Sequence, residues 1–177
     1  MTDRLPLTQV YNLARLGNAG DTVSITADAA ECAAIAAWSG ILSLERLEVR
    51  VDIRKLAPTR FGLDFTLAAD LTQASVVSLE PVPAHLEHRF ARELHFAGTG
   101  RRKVVSDESG PDLVLDAGEE DGPEEIESLH YDLAGPALEE FVLSLEPYPR
   151  RPGEEFAVPE SAQDRPASPF AVLKGLK

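Results

Sequence analysis

Apolar and polar residues alternate most regularly between Leu47 and Asp70. Leu47, Val49, Val51 and Ile53 interleave with Glu48, Arg50, Asp52 and Arg54. After Ala57-Pro58-Thr59 the alternation resumes, with Phe61, Leu63, Phe65, Leu67 and Ala69 against Gly62, Asp64, Thr66, Ala68 and Asp70. A period of two marks a half-buried strand, and two such runs joined by a short polar connection predict an antiparallel pair. Residues 22–26 (TVSIT) predict a shorter strand, and Ser75–Leu79 reads as a third run after the pair. A fourth strand places Leu86, Phe90, Leu94 and Phe96 against Glu87, Arg89, Glu93 and His95. Glu80-Pro81-Val82-Pro83 interrupts the pattern and reads as a rigid corner. One apolar face per strand predicts a sheet covered on one side, most simply by helices.

Two stretches supply those helices. Asp28 stands three residues before Glu31, the spacing of a capping box, and predicts a helix to about Trp38 that offers Ala29, Cys32, Ala33, Ala36 and Trp38 for packing. Gly40 is placed to terminate it. The second follows a strand-like segment at residues 129–133. Gly135-Pro136 stops one element and starts the next, because proline in a first helical turn gives up an amide that lacks a partner anyway. Leu138, Phe141, Val142 and Leu145 then fall at helical spacing over 137–145, and Glu139 and Glu140 face away from that stripe. Pro147 and Pro149 end the helix, and Arg150-Arg151-Pro152-Gly153 turns the chain outward. The expected fold class is α+β: an antiparallel meander of four or more strands packed by two main helices, with an acidic loop and a C-terminal hook.

Charge changes this picture because it is unevenly spread. Residues 1–104 hold 12 Lys/Arg and 12 Asp/Glu, whereas the last 73 hold 5 and 18, so the net charge of -13 sits entirely in the C-terminal part. A broad basic surface for phosphate neutralisation is excluded, and a basic protein is the better-suited partner. Between Val105 and His130 there are ten carboxylates, no Lys or Arg, and Gly-Pro steps at 110–111 and 122–123. This predicts a mobile acidic loop over 105–130, either a solvating insertion or a polyanion that engages a basic partner, with Leu113-Val114-Leu115 its only ordered piece. Arg101-Arg102-Lys103 is the one compact basic cluster. It reads either as a solvated strand end or as a small contact with RNA phosphate. Residues 154–168 form a polar, proline-bearing linker. Ser168-Pro169 opens a short helix over 169–177 whose Phe170, Leu173 and Leu176 make it either a staple on the core or a hook for a partner.

The chain of 177 residues is long enough for one domain, 1–177, with its own core. It has no run approaching a membrane helix and no apolar signal core in MTDRLPLTQV, so a cytoplasmic location without membrane contact is expected. Its one cysteine, Cys32, excludes an internal disulfide and a multi-cysteine metal site; with no activating neighbour it reads as a buried structural thiol. His85 and His88 lie on opposite faces of a strand, and His95 and His130 have no ligand-type partner at a recognised spacing. No phosphate loop, nucleophile elbow or paired-histidine helix is present. The expectation is no catalytic residue, no metal, no cofactor and no small-molecule substrate.

DLAGPALEEFVLSLEPYP, QASVVSLEPVPAHLEHRF and SPFAVLKGLK, in that order and spacing, resemble the YceD-type family of bacterial proteins linked to accumulation of large-subunit ribosomal RNA. The resemblance spans about residues 5–177, and the PYPRRPG and SLEPVPA segments look like its alphaproteobacterial branch. Many members carry Cys-x-x-Cys where this chain reads Ser75-Val76-Val77-Ser78. Serines cannot replace thiolates as soft metal ligands, so any zinc or redox role tied to those thiols is absent here. The resemblance implies a non-enzymatic ribosome-biogenesis factor supporting accumulation or processing of large-subunit ribosomal RNA. Taken with the acidity, it points to a basic ribosomal protein or a large-subunit assembly intermediate as partner. The expected partner contacts are Glu139, Glu140, Tyr148, Arg150 and Arg151, with a secondary RNA contact at Arg101, Arg102 and Lys103. The alternative is a general protein-binding adaptor or small chaperone without a ribosomal role.

Overall fold

A computed structural model of the chain describes residues 5–98 and 122–154. The strongest sequence pattern forms its centre. Strands β1 (Val10–Asn12), β2 (Asp21–Thr26), β3 (Ser43–Ala57), β4 (Arg60–Ala74), β5 (Pro81–Phe96), β6 (Glu124–Ile126) and β7 (His130–Asp132) accompany helices α1 (Ala29–Ser39) and α2 (Ala134–Leu143). The main sheet runs β2-β3-β4-β5-β6, antiparallel except for the parallel β5–β6 pair, and β1 pairs with β7 in a separate two-stranded ladder. The architecture is α+β, as the alternation predicts.

Register decides which residues share a face. Val49 lies opposite Leu67 and Val51 opposite Phe65, and Phe65 in turn opposes Phe90. The Phe65 and Phe90 rings stack at 4.4 Å. The odd residues of β3 and β4 and the even residues of β5 therefore form one face, against which the helices pack. Leu47, Val49, Val51, Ile53, Leu63, Phe65, Leu67 and Leu94 are buried there, together with Ile35 of α1 and Leu138 and Phe141 of α2. The opposite face is open and carries crossed charges: Arg46–Asp70, Arg50–Asp52, Arg54–Asp64 and Arg60–Glu93.

Helix α1 begins with the expected reciprocal cap. Asp28 accepts from the amides of Ala30 and Glu31, both at 2.8 Å, and Glu31 accepts from the Asp28 amide at 2.8 Å. Gly40 closes it in the left-handed conformation. The packing face differs from the expected one. Cys32, Ile35 and Ala36 are buried, whereas Ala29, Ala33 and Trp38 are exposed, because the spacing 32, 35, 36 is the one that meets β3. Cys32 is a buried thiol, and burial pushes its pKa up.

Other expectations are corrected. Ser75–Leu79 is a turn between β4 and β5 rather than a strand, and Pro81-Val82-Pro83 opens β5 rather than breaking it. Prolines are tolerated there because the missing amides would point to the outer edge, away from β4. Helix α2 starts at Ala134 and stops at Leu143, two residues short of the expected end, so Gly135 and Pro136 lie in its first turn. Asp132 Oδ1 accepts from both Ala134 N (3.1 Å) and Gln9 N (2.7 Å), fixing the helix start to the N-terminal strand. The segment 122–130 is not a mobile loop: Glu124–Ile126 joins the main sheet beside Leu94–Phe96, and His130 opens β7. The rest of the acidic loop, including Leu113-Val114-Leu115, lies outside the described residues, as do linker residues 155–168 and the C-terminal helix at 169–177.

One glycine is fixed by close approach. Gly20 has φ of +78°, and a Cβ there would lie 2.8 Å from the Ile53 carbonyl oxygen across the β2–β3 ladder. Gly20→Ala is expected to cost about 1–2 kcal/mol from the left-handed backbone alone, with the contact adding to it. A urea melt of the variant measures the loss.

Candidate partner-binding surface

The seam between α2 and β5 carries an ion cluster built on the apolar face of the sheet. The even positions of β5 alternate between apolar and polar: Leu86, His88, Phe90, Arg92, Leu94. His88 and Arg92 therefore point towards α2, where Glu140 Oε2 lies 3.4 Å from His88 Nε2. Arg92 Nη2 donates to Glu139 Oε2 at 3.1 Å and lies 3.5 Å from Glu140 Oε1. Glu124 of β6 approaches the same guanidinium at 4.0 Å and accepts from the Tyr131 hydroxyl at 3.1 Å. Burial, reinforced by the Glu124 charge and hydrogen bond, raises the Tyr131 pKa.

This corrects the expected orientation of Glu140. Glu139 is 60% exposed and Glu140 only 22%, so Glu140 faces β5 rather than solvent, and both are already engaged within the chain. Exposed pairs of this kind contribute about 0–1 kcal/mol. Glu139 thus keeps open carboxylate surface for a partner, whereas Glu140 chiefly positions α2.

At its C-terminal end α2 is apolar on the outside. Leu143 is 77% exposed and Val142 is exposed beside it, although the sequence pattern places Val142 in the packed stripe. Tyr148 follows at 69% exposure, and Leu79 and Val76 of the β4–β5 turn are exposed as well. Tyr148, Leu79 and Val76 belong to one neighbourhood, because the 146–154 segment runs back along that turn. Gln73 Nε2 donates to Glu146 O at 3.0 Å, Val76 N donates to Pro149 O at 2.9 Å, and Arg151 pairs with Glu80. The chain after α2 is docked rather than turned outward. Arg150 is exposed and, among the described residues, forms no ion pair; Arg151 is half of an internal one.

Ser75 anchors this docking. It is the one buried polar residue among the described residues; its Oγ accepts from Val77 N (3.1 Å) and Ser78 N (3.3 Å) and donates to Glu154 Oε2 (2.5 Å). Glu154 also accepts from Arg151 N at 3.1 Å. Hydrogen bonding from Ser75 first, and then from Ser78, holds the Glu154 carboxyl below its ordinary pKa. Ser75 and Ser78 thus hold a carboxylate of the same chain.

A separate polar cluster lies on the open face. Asp70 accepts from Arg46 Nε at 2.7 Å and faces His85 Nδ1 at 2.6 Å, and Glu87 lies 3.5 Å from His85 Nε2. The Asp70 contact chiefly, with Glu87 second, raises the His85 pKa above 6.5, and the His85 hydrogen bond lowers that of Asp70 below 3.8. His85 therefore adds stability that is fully present below pH 6.5 and is lost as pH rises through its raised pKa. Asp70 adds stability present above pH 3.8 and lost as pH falls through its lowered one. In an NMR titration His85 should titrate above 6.5, and Asp70→Asn should bring it down.

Among the described residues no group of three or more His, Cys, Asp or Glu is placed to hold a metal ion, and no helix is long and apolar enough to cross a membrane. Glu139, Glu140, Tyr148, Arg150 and Arg151 lie along α2 and the segment after it, with Arg151 turned to Glu80. Arg101, Arg102 and Lys103 lie outside the described residues. Sequence reasoning missed Arg92, His88, Leu143 and Leu79. The first two were legible as breaks in the apolar alternation of β5, while Leu143 lies between Val142 and Leu145, off the predicted stripe. No family model, curated protein or solved structure matches the chain.

Proposed function

We propose that this chain is a non-enzymatic binding protein of the bacterial cytoplasm. It supports accumulation or processing of large-subunit ribosomal RNA by engaging a basic protein, either a ribosomal protein or one presented on a large-subunit assembly intermediate. The observation that carries the binding reading is the pairing of exposed Leu143, Tyr148 and Leu79 with open carboxylate at Glu139 and Glu146, in a chain of net charge -13. An exposed apolar group with an acidic rim fits a partner that offers Lys or Arg around an apolar anchor. The acidic residues of 105–121 add long-range attraction to the same partner, and the C-terminal segment 169–177 acts as a further hook. The ribosomal part rests on the resemblance of the three quoted segments. RNA contact through Arg101, Arg102 and Lys103 is secondary.

The competing reading is a general adaptor or small chaperone, favoured by the same apolar surface. Affinity capture from lysate at low and moderate salt, with and without ribonuclease, separates them. Large-subunit proteins that survive ribonuclease but weaken with salt are the expected result. Ribosomal signal that disappears with ribonuclease moves the contact to RNA, and recovery of unrelated proteins alone favours the adaptor.

A further inference from the structure

Among the described residues, strand β5 has a long outer edge without a partner. It pairs with β4 from Pro81 to His95, but with β6 only at Leu94–Phe96. Among the described residues, nothing forms a ladder with the outer edge of 81–93. The direction of its backbone groups follows from the bonds at its two ends. Glu80 O accepts from Ser75 N and Phe96 N donates to Thr59 O, both on the β4 side, whereas Ala97 N donates outward to Ile126 O. Odd residues therefore present their amides and carbonyls outward. Pro81 and Pro83 have no amide to offer, which guards that end. Among the described residues, those of His85, Glu87, Arg89, Ala91 and Glu93 join no ladder.

The side chains on this edge are incomplete in the same place. On the open face Arg46, Arg50, Arg54 and Arg60 each have a carboxylate partner, yet Arg89, among the described residues, has none. Its neighbour Glu87 reaches, among the described residues, only His85, at 3.5 Å, and is 77% exposed. An unmatched cation and an unmatched anion two residues apart on a free strand edge are self-complementary.

We propose that this edge pairs antiparallel with the same edge of a second copy of the chain, about a twofold axis at His88. In that register Glu87 opposes Arg89 of the second copy and Arg89 opposes its Glu87. On the other face Leu86 opposes Phe90, also twice. Residues 85–91 then exchange about eight backbone hydrogen bonds, and Pro83, with no amide, falls at the end of the ladder. Moving the axis to residue 87 or 89 sets Glu87 against Glu87 or Arg89 against Arg89, so charge selects the register. The chain that precedes β6 is a poor rival for the edge. Residues 116–123 read DAGEEDGP, rich in the Gly, Pro and Asp that strands exclude.

Sedimentation of the full chain over a wide concentration range tests this. The wild type is expected to dimerise reversibly. Glu87→Arg and Arg89→Glu each set like charges opposite one another twice, and each should weaken dimerisation by roughly tenfold or more. Neither side chain is buried, and unchanged circular dichroism melts would verify folding. An equimolar mixture of the two variants places Arg against Glu at both positions and should dimerise again. Ala91→Pro, which removes an outward amide without touching the β4 ladder, should give a monomer. A wild type that stays monomeric throughout overturns the proposal, as do single variants that dimerise like it or a mixture that fails to restore pairing.

Discussion

Phe141→Ala is expected to lower the stability of the chain by about 3–5 kcal/mol, the range for removing a large aromatic from a packed interior. Phe141 is fully buried, and with Leu138 and Ala137 it is what α2 inserts against the apolar face of the sheet. The cost exceeds the transfer term because the walls of the site are strands held in register by their neighbours and collapse little into the space. Val142 is the internal control. It sits one residue on, is 37% exposed, and its replacement by Ala should cost about 1 kcal/mol or less. Urea denaturation of both variants measures the difference. A loss at Phe141 no larger than that at Val142 would mean that α2 is not docked as described.

Ser75→Ala should cost about 2–4 kcal/mol, a large effect for the loss of one oxygen. Its hydroxyl is the acceptor for two amides of the β4–β5 turn, so its removal strands Val77 N and Ser78 N in partly buried positions at about 1–3 kcal/mol each if water cannot reach them. Its donated bond to Glu154 is lost as well. That bond holds the 149–154 segment against the turn, so the variant should also release Arg151 and Glu154 to solvent. Two readouts follow: a lower urea midpoint, and faster amide exchange at Val76 and Arg151. Ser75→Thr keeps the hydroxyl and should recover part of both. If Ser75→Ala melts with the wild type, the turn is held by something other than this hydroxyl.

Where one side of an element meets solvent and the other meets core, the sequence states the answer. Strands β3 and β4 and the capped start of α1 are of this kind, since alternation and a reciprocal Asp–Glu cap are local facts. The turn at Ser75–Leu79 was illegible for a physical reason. Its two valines look like strand residues, while the turn is made by a serine hydroxyl acting as acceptor for the amides that follow, which an apolar count does not register. Strands β1, β6 and β7 have three residues each and owe their form to the neighbour they pair with. The acidity of Glu124 and Glu125 pointed to a loop, but the edge of β5 supplies the ladder that composition does not. At the candidate surface the outward placement of Glu139 on α2 was readable from helical spacing. The inward turn of Glu140 was not, because it depends on Arg92 and His88 about fifty residues earlier in the chain.

These placements change how the surface is best interrogated. Reversing Glu140 to Lys would set an ammonium against Arg92 and remove the carboxylate beside His88 in a half-buried seam, confounding binding with folding. Leu143→Glu alters a side chain that supports nothing within the described structure. Its charge is also one that a basic partner would otherwise welcome, so a loss of affinity would identify the apolar anchor itself.

The most direct measurement titrates the full chain with proteins stripped from large ribosomal subunits, and separately with protein-free large-subunit RNA, comparing wild type with Leu143→Glu at two salt concentrations. The wild type is expected to bind the protein fraction and to lose affinity as salt rises. Weak or no binding to naked RNA is expected, and at least a tenfold loss for Leu143→Glu, the size expected of a central apolar anchor. Equal binding by the variant, or binding to the RNA alone, would contradict the proposed function.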